Sequence, residues 1–323
     1  MRRRLRSPLP QRHGLDPARL RTPDDGSTWP TMRAHLLERL PRVDPVRIDE
    51  MLAGGELVGT DGPLGPDSPF TPGTFLWLHR DLPDEVAVPF DIGIVHRDDD
   101  VLVVDKPHFL ATIPRGRHVL ETVLVRLRRK LELPALSPAH RLDRATAGLL
   151  LLVVRPELRG AYQTMFAKRR VAKTYEAIAP YEPSLELPRT VRSRIVKERG
   201  VFQAVTEEGP VNAETLVELV EQRDGPDGSA LARYRLAPHT GRTHQLRVHM
   251  SELGVPILGD DFYPDLHERP LDDFDRPLQL LAGRLEFTDP VSGRPRRFES
   301  RRTLQAWHDP AGWSAHGSGG SDG

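Results

Sequence analysis

The chain has 323 residues, 46 basic and 46 acidic side chains, and no cysteine. The absence of cysteine excludes a disulfide framework, a thiolate nucleophile and a thiolate metal site, and no run approaches the roughly 18 apolar residues that a membrane helix needs. The basic first six residues are not followed by an apolar segment, so they do not read as a secretory signal, and a soluble cytoplasmic protein of about two domains is expected.

The zero net charge hides a segregation. From Arg115 to Lys173 there are fourteen Lys and Arg against four acids, a local +10 balanced by acidic flanks. A concentrated basic field suits a polyanion better than a small neutral substrate.

In chain order, residues 1–30 are Arg- and Pro-rich without apolar periodicity and read as a disordered basic arm. A small unit follows, with helical patterns at Met32, Leu36, Leu37 and Leu40 and again near Ile48 to Leu52, and a closing strand at Phe75-Leu76-Trp77-Leu78. The segment Leu82 to Val88, with one proline and two acids, reads as a linker. Ile92, Ile94 and Val95, then Asp98-Asp99-Asp100, then Val101 to Val104 give a hairpin signal. Val119, Val123, Leu127 and Leu131 recur at helical spacing. Leu149 to Val154 is an unbroken aliphatic run, the signature of a strand buried on both faces. Leu158, Ala161, Met165 and Phe166 mark another helix. Strands are expected at Thr174 to Ala179, Val211 to Val220 and Leu231 to Ala237, and a helix over Leu246, Met250 and Leu253 ending near Gly254. After Trp307 the chain turns to Gly and Ser, a tail without expected structure.

The charged tetrapeptide His140-Arg141-Leu142-Asp143 and the small-residue turn Ala145-Thr146-Ala147-Gly148 lie directly before the buried strand, at the mouth of a rigid element where a reactive side chain can be held in place. His244 and His249 are five apart rather than four, and no acid has HExxH spacing, so no metal site is expected. Dinucleotide and P-loop patterns are absent too.

His140–Gly148 (HRLDRATAG), Lys173–Ala177 (KTYEA) and Thr240–Asp260 (TGRTHQLRVHMSELGVPILGD) resemble, in order and spacing, three motifs of the RluA-type pseudouridine synthases, and Asp105-Lys106-Pro107 matches the opening of the same catalytic domain. The resemblance spans roughly residues 90 to 305. It implies an enzyme that detaches uracil from C1′ of a uridine in ribosomal or transfer RNA, turns it and rejoins it through C5, without cofactor or metal. It also implies an α+β fold, a large mixed, mainly antiparallel sheet flanked by helices. Asp143 would be the essential carboxylate, Arg247 would pair with it, and Tyr175 would stack on the extruded uracil. Arg141 would fill the gap left in the RNA. His140, Arg144, Thr146, Lys173, Arg242, His244 and Gln245 would complete the RNA-binding surface.

Ala147 stands where the family usually has Ser. Residues 31–88 resemble a degenerate S4-like domain: the helical pattern around Arg47 to Leu52 is present, while Asp44, Asp49, Glu50 and Glu56 make an acidic surface. The expected organisation is an arm (1–30), this module (31–88), a catalytic domain (89–307) and a tail (308–323), acting as a monomer. The competing readings are a catalytically inactive RNA-binding protein using the same basic cleft, and a base deaminase. The deaminase would need zinc ligands that a cysteine-free chain lacks.

Overall fold

The computed structural model describes residues 7–225 and 228–315. It divides after Asp84 into two units, four residues before the expected boundary.

In the N-terminal unit, β1 (Ala18–Arg21), α1 (Met32–Arg39), α2 (Pro45–Ala53), β2 (Val58–Gly59) and β3 (Phe75–Leu78) follow in order, with sheet order β1-β3-β2. Both helices begin at side-chain caps: Thr31 accepts from the Ala34 N–H at 3.2 Å, and Asp44, with Pro45 behind it, accepts from the Val46 N–H at 2.9 Å. Met32 and Leu36, and Ile48 and Leu52, four apart in each helix, meet Leu76 and Leu78 in the core. The expected disordered arm is corrected here. Ala18–Arg21 alternates small or apolar with basic residues, and Ala18 and Leu20 pack on that core while the strand pairs with β3. Residues 1–6 of the arm lie outside the described residues.

The second unit carries β4 (Gly93–Arg97), β5 (Val101–Lys106), α3 (Val123–Lys130), β6 (Ser137–Pro138), β7 (Ala147–Val153), α4 (Arg159–Ala167), β8 (Val171–Pro180), β9 (Arg189–Val196), β10 (Val205–Glu207), β11 (Ala213–Asp224), β12 (Ala230–Pro238), α5 (Gln245–Glu252), β13 (Leu280–Thr288), β14 (Pro295–Glu299), α6 (Gln305–His308) and α7 (Pro310–Ala315). Its eleven strands form one sheet in the order β10-β9-β11-β12-β8-β13-β7-β5-β4, with β14 on β13 and β6 on β7. The β13–β7 pairing is parallel and every other pairing is antiparallel, which is the mixed, mainly antiparallel architecture expected.

All seven residues of β7 and all six of β5 are buried. Leu150 and Leu152 face the α3 side with Leu102, Val104, Val123 and Leu127, while Leu149, Leu151 and Val153 face Tyr162 and Met165 of α4. Two covered faces explain why the sequence shows a run rather than an alternation. Each buried Leu here contributes about 2 kcal/mol of transfer free energy.

One strand of this unit was not expected, and one expectation is overturned. The strand β13, at the centre of the sheet, is absent from the sequence reading. The expected tail contains α7, and its Trp313 is buried with Trp307 of α6, Leu281 and Ile178. Two large rings covering the sheet outweigh the Gly- and Ser-rich composition that follows them. Residues 316–323 lie outside the described residues. Among the described residues, no helix is long and apolar enough to cross a membrane.

Candidate active site

Asp143 lies in the loop that enters β7, and that loop is clamped by a single neighbouring segment. Thr112 Oγ1 donates to the Leu142 carbonyl at 2.8 Å and accepts from the Leu142 N–H at 3.1 Å. His108 Nδ1 donates to the Ala145 carbonyl at 2.7 Å, and Lys106 Nζ donates to the Arg144 carbonyl at 3.1 Å. Lys106 is fully buried, which pushes its pKa well down, and the Asp143 charge opposes that shift. Its Nζ reaches three carbonyls, of Pro107, Leu110 and Arg144, at 2.8–3.1 Å. Three N–H bonds require the ammonium form.

Below the loop, Gly148 has φ +108°, and a Cβ there would sit 2.4 Å from the Ala282 carbonyl oxygen. Glycine is therefore required for β7 to approach β13 this closely. Ala282 is the Cα partner of both Gly148 and Tyr175. Through this residue β13 brings the Asp143 loop and Tyr175 of β8 to the same place.

A cavity of about 680 Å³ opens there. Asp143, Tyr175 and Arg247 line it together, and so do Arg141, His140, Arg144, Thr146, Lys173, Arg242, His244 and Gln245. The Tyr175 hydroxyl is pushed up first by burial and then by the Asp143 charge, which places ring and carboxylate within electrostatic reach. Arg141 and Arg242 are exposed at the rim. Burial lowers the pKa of Lys173, as does Arg169, and its Nζ donates to the Thr240 carbonyl at 3.2 Å. Arg144 is lowered by burial and by Arg117, and its guanidinium lies 5.7 Å from the Phe109 ring centre. Arg115 and Arg169 also line the cavity and add to a field that favours phosphate.

The expected Arg247–Asp143 ion pair is corrected. Arg247, in the first turn of α5, binds Asp260 through two bonds, Nε–Oδ2 at 2.8 Å and Nη2–Oδ1 at 2.5 Å, with the side chains 4% and 1% exposed. Burial alone would lower the Arg247 pKa, yet the Asp260 bonds and charge raise it overall, and Asp143 adds to the rise through space. Asp260 Oδ1 also accepts from the Phe262 and Tyr263 N–H groups at 2.8 and 3.2 Å, and the Arg247 guanidinium lies 4.7 Å from the Phe262 ring centre. The guanidinium is thus fixed independently and presents its field to Asp143. Asp260 ends the third motif, and its function as the anchor of Arg247 was not recognised from sequence.

Two expected RNA contacts are framework residues. Gln245 Oε1 accepts from the Thr240 hydroxyl and the Arg242 N–H, while Nε2 donates to the Glu214 carbonyl and Thr215 Oγ1. Its amide is saturated and braces the 239–245 turn. His140 Nε2 accepts from the Leu151 N–H at 3.1 Å and the ring stacks on Phe166 at 4.3 Å; burial, helped by Lys173, lowers its pKa to about 3. His244 has φ +56° at the start of α5, its Nδ1 is 3.0 Å from the Tyr263 hydroxyl, and burial lowers its pKa to about 4 against the upward pull of Asp143. It is neutral at pH 7. Among the described residues no cluster of His, Asp or Glu has the geometry to hold a metal ion.

A family model described as RNA pseudouridylate synthase matches residues 100–252. The dual-specificity RNA pseudouridine synthase RluA of Vibrio parahaemolyticus serotype O3:K6 is 33% identical over 204 residues, 62% of this chain and 78% of that protein. The mitochondrial tRNA pseudouridine(32) synthase of Saccharomyces cerevisiae is 31% identical over 190 residues, 58% of this chain and 39% of that one. Human RNA pseudouridylate synthase domain containing 4 superposes with a TM-score of 0.52 at 25% identity, covering 69% of this chain and 93% of that structure.

Proposed function

Since the chain belongs to the RNA pseudouridylate synthase family, we propose that it isomerises uridine to pseudouridine in structured ribosomal or transfer RNA, with Asp143 as the essential carboxylate. The observation that carries this reading is the convergence of Asp143, Tyr175 and Arg247 on one cavity with a cationic rim.

The reaction breaks the N1–C1′ bond, forms a C5–C1′ bond, moves the C5 proton to solvent and returns a proton to N1. It is redox-neutral and has no second substrate, so its atoms balance without a cofactor. Asp143 serves it by one of two routes. It is either a nucleophile, at C1′ or on the base, or the acceptor of a sugar proton in a glycal route. Both need an ionised carboxylate, and the Arg247 guanidinium lines the same cavity. Tyr175 offers a flat ring for the extruded uracil. Arg141, exposed two residues before Asp143, enters the RNA at the vacated position, and Arg144, Lys173 and Arg242 hold phosphates that offset part of the few kcal/mol that flipping costs.

The N-terminal unit is read as an S4-like appendage with little affinity for RNA. Arg33 is held by Asp49, and Arg47 by Glu56 and Asp81, so these cations have counter-charges without phosphate. The enzyme is read as a cytoplasmic monomer.

The test is sequencing of pseudouridines in RNA from cells lacking this gene, after incubation with the wild-type chain and with Asp143→Asn. Wild type restores a defined position, while the variant keeps its fold and RNA affinity and restores none. Turnover by Asp143→Asn refutes the assignment. RNA binding without pseudouridine formation by the wild type favours the rival reading, a binding protein without catalysis.

A further inference from the structure

The segment between β9 and β10 exposes an aromatic ring that the reaction as described does not use. Phe202 is 66% exposed, beside Val201 at 46%. A single exposed apolar side chain needs no explanation, but three features set this one apart.

The backbone beneath it is fixed. Gln203 Nε2 donates to the Phe262 carbonyl, the Ala204 N–H donates to the Tyr263 hydroxyl at 2.7 Å, and that hydroxyl donates back to the Ala204 carbonyl at 2.9 Å. Lys197 closes the turn by donating to the carbonyls of Glu198 and Val201. The ring is therefore presented by a braced turn. Second, it begins a track of rings into the cavity. Phe202 lies 6.1 Å from Phe262, and Phe262 lies 5.4 Å from His244 and under the Arg247 guanidinium at 4.7 Å. His244 and Arg247 line the cavity that holds Asp143. Third, the flanking charge is net basic, Lys197 and Arg199 against Glu198: Arg199 is exposed and has no ion pair among the described residues, and Lys197 is close enough to His244 to lower its pKa.

We propose that Phe202 is a stacking platform for an unpaired base of the substrate RNA, flanking the nucleotide whose uracil enters the Asp143 cavity. A ring beside cations, linked through Phe262 to side chains that line a cationic cavity, is the combination that single-stranded nucleic acid uses, because every base offers a π-face. The track of rings gives the strand a direction, running out of the cavity past His244 and Phe262 to Phe202. This inference rests on the reading of the chain as an enzyme acting on RNA, and deepens it by placing a neighbouring base.

The experiment uses the full-length chain and a synthetic RNA hairpin spanning the uridine that the wild type converts in total RNA. Phe202→Ala weakens hairpin binding and lowers kcat/KM by about tenfold, while Phe202→Trp stays within about twofold of wild type, as base–aromatic stacking requires. An abasic site at one position flanking the uridine lowers wild-type affinity by a similar factor and does not weaken Phe202→Ala further. The inference is overturned if Phe202→Ala binds as wild type does, or if each abasic position weakens both proteins equally. Formation of no pseudouridine by the wild type in any RNA overturns the catalytic reading itself and this inference with it.

Discussion

The buried Arg247–Asp260 pair gives a sharp test of how the site is held. Asp260→Asn preserves volume and one carbonyl oxygen but removes the counter-charge of a guanidinium that is only 4% exposed. Breaking a buried pair by neutralising one partner costs about 3–5 kcal/mol. Asparagine keeps an acceptor for Nη2 and for the Phe262 N–H, and Asp143 supplies part of the lost charge, so the lower end, about 3 kcal/mol, is expected here. For a folded unit of this size each kcal/mol moves Tm by about 2–4 °C, which predicts a fall of about 6–12 °C in thermal unfolding followed by circular dichroism. Arg247 is also drawn toward Asp143, and pseudouridine formation falls with stability already accounted for. A Tm within about 2 °C of wild type would mean that the pair does not anchor the guanidinium, and the proposed division of labour between Asp260 and Asp143 would be wrong.

Gly148→Ala forces a Cβ to 2.4 Å from the Ala282 carbonyl at φ +108°; the variant should fail to accumulate as folded protein, and normal expression with native circular dichroism would show that β7 and β13 can separate without loss. Arg141→Ala should slow reaction on a paired, structured RNA by about ten- to a hundredfold more than on a flexible strand, the range set by the few kcal/mol of base flipping; equal losses on both would remove Arg141 from extrusion. His249 is fully buried, bonded to Ser193 and Thr215, and burial lowers its pKa from 6.5 to about 4. The folded state thus binds fewer protons than the unfolded state between these values, so the contribution of His249 is present above pH 6.5 and is lost as pH falls toward 4. Urea unfolding should show stability falling over that window by up to about 3 kcal/mol for this one group. A His249→Gln variant should show a shallower decline, and an unchanged slope would exclude His249 as a source of the pH dependence.

Much of the catalytic unit was legible because its signals are local. The run through β7, the periodicities of α3 and α4, and the three motifs are each readable within a short contiguous stretch. What was missed is non-local. β13 is defined by its partners, Gly148 on one side and Tyr175 on the other, and nothing in Leu280–Thr288 announces that it joins two motifs that lie over a hundred residues before it. Asp260 sits thirteen positions from Arg247 across a turn, outside any helical or strand period, so the pairing with Asp143 that the resemblance implies took its place. Gln245 carried motif membership but no sign that both ends of its amide would be occupied by Glu214, Thr215, Thr240 and Arg242. Composition misled at both termini, where Leu20 and Trp313 gain more from burial than their surroundings suggest.

The placement of Asp143 follows from a separation of tasks within the loop. Its backbone is fixed by Thr112 and flanked by the bonds of Lys106 and His108 to Arg144 and Ala145. None of these bonds uses the carboxylate. Arg247, buried and lining the same cavity, is in turn fixed by Asp260. A carboxylate whose position comes from its backbone, and which shares its cavity with a cation that is itself bound elsewhere, keeps its oxygens available to a sugar or a base. A direct Arg247–Asp143 bond would have to be broken before the acid could act, and in a partly dry cavity that would add to the barrier. The Asp260 pair removes that step, which makes it part of how the reaction is prepared as well as of how the fold is held.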